Sequence, residues 1–317
     1  MQTLKIAVTK RVPGLDEALK ELPTDADVWV HSSETALERD ELAEAVHDAH
    51  GVLVVGDRFD AELMDASPHL KVLSNYGVGV DNIDLDAAAA RGIAVTNLPH
   101  EVTYSTAELA MALLLACVRR IPEADQFVRT HNPFSWTPTI IMGDNLQGKT
   151  IGIVGFGRIG QRVAKMAKAF DMRIVYYSRT RKRDVEETTG VGYLDLPDLL
   201  RRADVVSLHI PGGEDTKHLI GAPELAMMAP NAILVNLARG TVVDEEALAD
   251  ALEAGSIRAA GLDVFENEPA VNTKLTTLPN VVLTPHIGTT TWQAREAMTK
   301  GALANIVSTL WPEEAGQ

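Results

Sequence analysis

Short runs rich in β-branched residues recur along this chain, each followed by a longer stretch of helical period, and few architectures accept that alternation. The first series is LKIAV (Leu4 to Val8), VWV (Val28 to Val30), GVLVV (Gly51 to Val55), KVLSN (Lys71 to Asn75) and IAVTN (Ile93 to Asn97). A second follows Lys149: TIGIVG (Thr150 to Gly155), RIVYYS (Arg173 to Ser178), DVVSLHI (Asp204 to Ile210), AILVNLA (Ala232 to Ala238), AAGLDVF (Ala259 to Phe265) and VVLTPH (Val281 to His286). The pattern predicts an α/β chain with doubly wound parallel sheets in two domains, and the second series supplies enough strands for a complete dinucleotide-binding sheet. Between the series, Ser105 to Arg120 reads as a helix too apolar for a surface position. The aperiodic His131 to Gly148, mixing proline, glycine and asparagine, reads as a connection between domains or a clasp. The helix-patterned Thr291 to Leu310 is expected to cross back onto the first domain.

Composition narrows the partners. With 317 residues, 46% of them hydrophobic, the chain has material for two cores. A formal net charge of -15 argues against nucleic acid and anionic membrane, which require clustered Lys and Arg. The lone cysteine, Cys117, lies in an apolar run, so it reads as a core thiol, and neither an internal disulfide nor a thiolate metal site is expected. No metal is called for. The opening MQTLKIAVTKR lacks the long apolar stretch of a secretory signal, and a cytoplasmic location is expected.

Gly155, Gly157 and Gly160 form a G-x-G-x-x-G between an apolar strand and an amphipathic stretch. The first glycine allows the tight turn, the second lets a pyrophosphate approach the backbone, and the third lets helix and strand pack closely. Arg158 and Ile159 begin the helix whose unsatisfied N–H groups and dipole favour the negative charge. An NAD site would place a carboxylate at the end of the following strand, about 20 residues on. Here that end reads YYSRTRKR. Ser178, Arg179, Thr180, Arg181 and Lys182 offer hydroxyls and guanidinium forks suited to a 2′-phosphate, so NADP(H) is the expected cofactor, with NAD(H) left open. A solvated basic turn is the bland alternative.

Arg239, Glu268 and His286 fall at or just beyond the last three strand runs, on the rim where open parallel sheets bind ligands. Histidine titrates near neutrality and can pass a proton to a developing alkoxide, which makes His286 the expected general acid of a reduction. Glu268 is placed to orient that imidazole and favour its charged form. Arg239 carries a fixed fork that can hold a carboxylate and polarise the carbonyl beside it. Singly each reads as an ordinary loop residue; together, on a chain with a nucleotide fingerprint, they form a candidate site.

The blocks GKTIGIVGFGRIG, VNLARG, GLDVFENEP and TPHIG resemble, in that order and spacing, those of the D-2-hydroxyacid dehydrogenase family, over roughly Lys71 to Met298. The resemblance implies a Rossmann-type nucleotide domain (102-286) set within a flavodoxin-like substrate domain (1-101 and 287-317). It implies an Arg239, Glu268, His286 triad, with Arg239 and His286 also binding substrate. It further implies that Tyr76, Gly77, Val78 and Gly79 offer amides to the substrate carboxylate, that Asp263 bonds the nicotinamide carboxamide, and that Ala238 flanks the same ring. SRTRK is similar to the NADPH-preferring glyoxylate and hydroxypyruvate reductase branch, so reduction of a small 2-oxo acid to the D-2-hydroxy acid is the expected activity. Dehydrogenases of 2-ketogluconate, D-lactate, 3-phosphoglycerate, formate or phosphite share these blocks and stay open, as does a non-catalytic nucleotide-sensing scaffold. Family members are commonly homodimers, in which Trp136 would either reach a partner's cleft or serve as a packing residue.

Overall fold

A computed structural model describes residues 3–312. The chain divides into two compact units, Met1–Val102 with Thr289–Gln317, and Thr103–Gly288. The expected boundaries after residues 101 and 286 move to 102 and 288, and residues 1–2 and 313–317 of the expected ranges lie outside those described.

In the first unit the strands are β1 (Leu4–Val8), β2 (Ala26–Val30), β3 (Gly51–Val54), β4 (Val72–Asn75) and β5 (Ala94–Thr96), ordered β2-β1-β3-β4-β5. Every ladder is parallel. β3 and β4 are buried at every residue, as strands covered on both faces must be, whereas edge strand β2 alternates half-buried with exposed positions. The helix Trp292–Leu310, capped by the Thr291 hydroxyl accepting from the Ala294 N–H, buries Ala294, Met298, Ala302 and Ile306 at four-residue spacing. Gly51 is glycine because a Cβ there would lie 2.8 Å from Ile306 Cγ2. The Ser74 hydroxyl donates to the Ala302 carbonyl at 2.9 Å and fixes the same contact from β4.

The second unit has β6 (Thr150–Val154), β7 (Arg173–Tyr177), β8 (Gly192–Tyr193), β9 (Val205–Leu208), β10 (Ile233–Asn236), β11 (Ala259–Leu262) and β12 (Val281–Leu283), ordered β12-β11-β10-β9-β6-β7-β8 and again all parallel. β8 went unpredicted because two residues carry no periodicity. Several strands stop short of their apolar runs: DVVSLHI pairs only to Leu208 and VVLTPH only to Leu283. The N–H groups of His209 and Thr284 still donate to the Val154 and Leu262 carbonyls, but Pro211 and Pro285 lack an N–H to continue the ladder. The helix Thr103–Arg119 buries Ala107, Ala110, Leu113, Leu114 and Cys117 among others, and Gly261 of β11 admits it closely, since a Cβ there would sit 3.0 Å from that of Leu113. Burial pushes the Cys117 thiol up to about 12, so it stays protonated and inert. No helix among the described residues is long and apolar enough to cross a membrane.

The His131 to Gly148 stretch is not a connection between domains. It follows a helix at Ile121–Thr130 and lies wholly inside the second unit, where Asp144 pairs with Arg258 and Gly143 packs against the backbone of Val118 and Arg119. The chain passes between units at Val102–Thr103, where a helix starts, and again at Gly288–Thr289.

Ile306→Ala tests whether the C-terminal helix is part of the first unit's core. Removing a fully buried side chain from a tight helix–strand contact should cost about 2–5 kcal/mol, read as a lower midpoint in denaturant unfolding, whereas a loosely docked helix would give a shift near zero.

Candidate active site

The strand order of the second unit reverses between β6 and β9, and a parallel sheet binds its ligand at such a switch point. Gly155 leaves β6 at φ +96°, and a Cβ there would lie 2.3 Å from the His209 carbonyl oxygen. Gly160 is equally constrained, since its Cβ would meet the Gly155 oxygen at 2.2 Å. Gly157 differs: it caps the helix Arg158–Lys168, and no atom lies within 4 Å of where its Cβ would be. Two glycines are therefore required by the fold, while the second opens onto space that a pyrophosphate would fill, and the residues present fit a dinucleotide. Arg158 and Ile159 form the first turn of that helix, Ile159 leaning on the core.

A cavity of about 560 Å³ runs from Gly155–Gly157 along Ser178, Arg179, Thr180 and Lys182, with His209 to Thr216, including Glu214 and Asp215, on its other margin. The Ser178 hydroxyl donates to the Thr180 carbonyl at 2.6 Å and shapes the turn. Arg181, expected among the phosphate-binding residues, does not line the cavity. Its guanidinium is committed to Glu186, with Nε to Oε1 at 2.9 Å and Nη2 to Oε2 at 2.7 Å.

The catalytic candidates gather at the ends of β10, β11 and β12. Asn236, the last residue of β10, is buried, and its side chain accepts from the Ala238 N–H and donates to the Arg239 carbonyl, both at 2.9 Å. The Arg239 guanidinium donates to the Ala238 carbonyl at 2.8 Å, and its stem lies against Gly212, where a Cβ would approach Arg239 Cγ to 2.9 Å. Both backbone groups of Ala238 are thus used within the turn. Gly240 is indispensable: a Cβ there would stand 1.8 Å from the Phe265 carbonyl carbon. That absence lets the Arg239 turn abut the Phe265–Glu268 turn.

Glu268 Oε1 accepts from the Phe265 N–H at 2.8 Å, and Oε2 lies 2.8 Å from His286 Nδ1. Burial pushes the Glu268 carboxyl up, but the hydrogen bonds from His286 and Phe265 and the charges of His286 and Arg239 outweigh it and hold it below the usual range. The carboxylate is ionised, so Nδ1 carries the proton and Nε2 is the nitrogen left for chemistry. His286 does not close β12, as the sequence suggested. It stands three residues beyond Leu283 with φ +55°, a conformation costing a non-glycine residue about 1–3 kcal/mol. Asp263 holds it there: the buried carboxylate accepts from the Thr284 hydroxyl at 2.6 Å and from the Ile287 and Gly288 N–H groups at 2.8 Å each. Three of roughly four acceptor positions are taken, which leaves room for one donor such as a carboxamide.

In the first unit, the Tyr76–Gly79 loop follows β4. The Tyr76 N–H donates to the Val54 carbonyl at 2.8 Å and the Gly77 N–H to that of Asn75 at 2.9 Å, so these two amides are already engaged. Tyr76 turns its hydroxyl to the Arg295 carbonyl and Thr299. The amides of Val78 and Gly79 have no acceptor among the described residues, and the carbonyls of both are held by Asn97 and Asn75 side chains. The expected four-residue carboxylate cradle reduces to these two donors.

Thr284 and the His209–Gly213 turn escaped sequence reasoning as site residues. The signal for His209 was its place after a strand, usable only once β9 is known to neighbour β6. Burial drives His209 down to about 4, so it stays neutral beside the glycine turn. Among the described residues no group of three His, Cys, Asp or Glu is arranged to hold a metal ion.

The family model described as the NAD binding domain of D-isomer specific 2-hydroxyacid dehydrogenases matches residues 111–288. The glyoxylate reductase of Thermococcus litoralis is 47% identical over 309 residues, covering 96% of this chain and 93% of that protein. Among solved structures, the TT0316 protein of Thermus thermophilus is 43% identical with a TM-score of 0.91 over 99% of each chain. An NADPH-dependent glyoxylate/hydroxypyruvate reductase of Sinorhizobium meliloti, in complex with NADP and malonate, is 33% identical with a TM-score of 0.84, covering 100% of this chain and 96% of that one. Fold and likeness together define a nicotinamide-dependent oxidoreductase. The chain belongs to the D-isomer specific 2-hydroxyacid dehydrogenase family, as a reductase of 2-oxo acids.

Glu268→Gln should separate the pair's two effects. Because the Glu268 pKa is lowered on folding, its contribution to stability is complete above the ordinary range near pH ~4.3 and is lost as pH falls through the lowered value. The variant should lose that acid dependence. Glu268 also fixes which imidazole nitrogen bears the proton, so the variant's kcat/KM should fall roughly tenfold or more. An unchanged kcat/KM would remove Glu268 from the mechanism.

Proposed function

We propose that the chain reduces small 2-oxo acids of the glyoxylate and hydroxypyruvate type to D-2-hydroxy acids, with NADPH preferred over NADH. The observation that carries this reading is the His286–Glu268 pair at 2.8 Å on the same sheet rim as Arg239. In it, His286 Nε2 delivers a proton to the substrate oxygen while Glu268 supports the charge on the ring. Arg239 holds the carboxylate and polarises the adjacent carbonyl, while in the first unit the Val78 and Gly79 amides are the donors left for an anionic group. The reduced nicotinamide, when bound, supplies the hydride that reaches C2, and with the proton from His286 the carbonyl becomes a hydroxyl. The second unit is assigned to the cofactor and the first to the substrate.

The NADPH preference is supported by Ser178, Arg179, Thr180 and Lys182 along the cavity and by the lack of a carboxylate after β7 until Asp184. It is also supported by likeness to the NADPH-dependent reductase of Sinorhizobium meliloti. The cytoplasm is the compartment this reading assigns, because reduced nicotinamide nucleotides are maintained there. The test is loss of NADPH and NADH absorbance with a panel of 2-oxo acids. NADPH should be oxidised faster with glyoxylate or hydroxypyruvate, and His286→Ala should lower kcat by about 10²–10⁴-fold. Cofactor binding without turnover would favour the nucleotide-sensing scaffold.

We also propose a homodimer formed through the segment following Arg120. Ile121, Val128, Phe134, Trp136 and Met142 are 44–72% exposed within about one stretch of chain, an apolar density unusual on a monomer's surface. Light scattering should give twice the chain mass, and a Phe134→Glu, Trp136→Glu double variant should shift it toward the monomer; a monomeric wild type would end this proposal.

A further inference from the structure

The Ser178–Lys182 stretch leads into a fastening that the chemistry above does not use. Tyr176 of β7 is fully buried, its ring stacked on Phe156 at 4.1 Å and meeting Tyr193 edge-on at 5.5 Å. Phe156 lies between Gly155 and Gly157, so the glycine turn leans on the same ring. The Tyr176 hydroxyl donates to Glu186 Oε1 and accepts from the Lys182 N–H, both at 2.7 Å. Glu186 in turn takes the Arg181 fork, and that guanidinium lies over the Tyr193 ring at 5.2 Å. The hydrogen bond from Arg181, then that from Tyr176, holds the Glu186 carboxyl down at about 2, so the fastening stays charged at any working pH. Arg179, by contrast, makes no ion pair among the described residues and lines the cavity.

We propose that Tyr176, Glu186 and Arg181 form a specificity clamp: they hold Arg181 away from the cofactor and fix Ser178, Arg179, Thr180 and Lys182 in the shape that reads a 2′-phosphate. This rests on the NADPH preference proposed above. Glu186 and Tyr176 act as positioning residues. The clamp selects between cofactors because only NADPH carries the 2′-phosphate that this turn would hold, whereas the glycine turn serves both. Two roles for Arg181 lead to opposite results. If it were itself the phosphate's ligand, releasing it from Glu186 would tighten NADPH binding; as part of a clamp, its release loosens the turn.

The experiment measures KM and kcat for NADPH and NADH with glyoxylate in wild type, Glu186→Gln and Tyr176→Phe, alongside thermal unfolding. Tyr176→Phe keeps the stacked ring and removes only the hydroxyl that joins Glu186 to Lys182, so it serves if the charge variant fails to fold. Each variant should raise KM for NADPH by about fivefold to tenfold, the loss of roughly one charge-assisted contact, with kcat and KM for NADH within about twofold. The double variant should lose no more than either single one, as members of one unit do. An NADPH KM that stays level or falls, or an equal rise for both cofactors, overturns the clamp. A wild type that favours NADH ends the cofactor reading instead, and the clamp is then judged by whether the NADPH to NADH ratio of kcat/KM still drops in the variants.

Discussion

Parallel register places the chemistry of the second unit. Tyr177 pairs with Val154, Val154 with Leu208, Leu208 with Asn236, Asn236 with Leu262, and Leu262 with Leu283, so the strands end on one row. The next residue in each is Ser178, Gly155, His209, Leu237, Asp263 or Thr284. Every turn that carries a candidate functional side chain therefore starts from the same line, with the same chain direction. An antiparallel sheet would send half of these turns to the opposite edge. Side-chain identity then decides what each turn does, but the shared rim comes from backbone pairing alone.

Two carboxylates a few residues apart in sequence do different work because their partners differ. Asp263 accepts three protein donors and spends its charge on holding the chain around His286. Glu268 accepts one backbone donor and turns its other oxygen to the imidazole. The first fixes where the ring stands, and the second fixes which nitrogen bears the proton. Gly240 links them to Arg239 by letting two backbone turns approach more closely than any side chain would permit. The arrangement is made of short-range contacts between turns, each anchored at a strand end, so little of its geometry depends on flexible side chains.

How legible this was from sequence varies with the range of the interaction. The strand runs, the glycine fingerprint and the apolar helix were readable because each is a local pattern with a local cause. The strand ends were not: apolar runs continue into TPH and LHI, and only the ladder shows that pairing stops at Leu283 and Leu208. Arg181 was misread for a related reason. A guanidinium in a basic turn looks available until the fold brings Glu186 under it, five residues on and in a helix that composition barely marks. Tyr76 and Gly77 failed as amide donors because their N–H groups are taken by Val54 and by Asn75, and the Val54 partner is a pairing across strands that a motif does not encode. The Arg239, Glu268 and His286 trio could be named because residue type and position after a strand sufficed, but the hydrogen bonds that orient it, from Asn236 and Asp263, came from residues that read as strand ends.

A chain of net charge -15 that handles a phosphorylated cofactor and an organic acid faces an electrostatic contradiction. Its resolution is a matter of range. At physiological salt, charges farther than about 8 Å apart are largely screened, so most of the acidic surface does not act on a bound anion, while groups in contact do. On the reading proposed above, the second unit therefore relies on donors in contact: the N-terminus of the Arg158–Lys168 helix, the Arg239 fork and the Ser178–Lys182 turn. Backbone amides are well suited to this because they are fixed by the fold and attract no counter-carboxylate of their own. Arg181 shows the other side of the same argument, since among so many acids an unconstrained guanidinium finds a carboxylate and is neutralised. Where the carboxylate is itself fixed, as Glu268 is by the Phe265 N–H, its basic partner is positioned rather than lost.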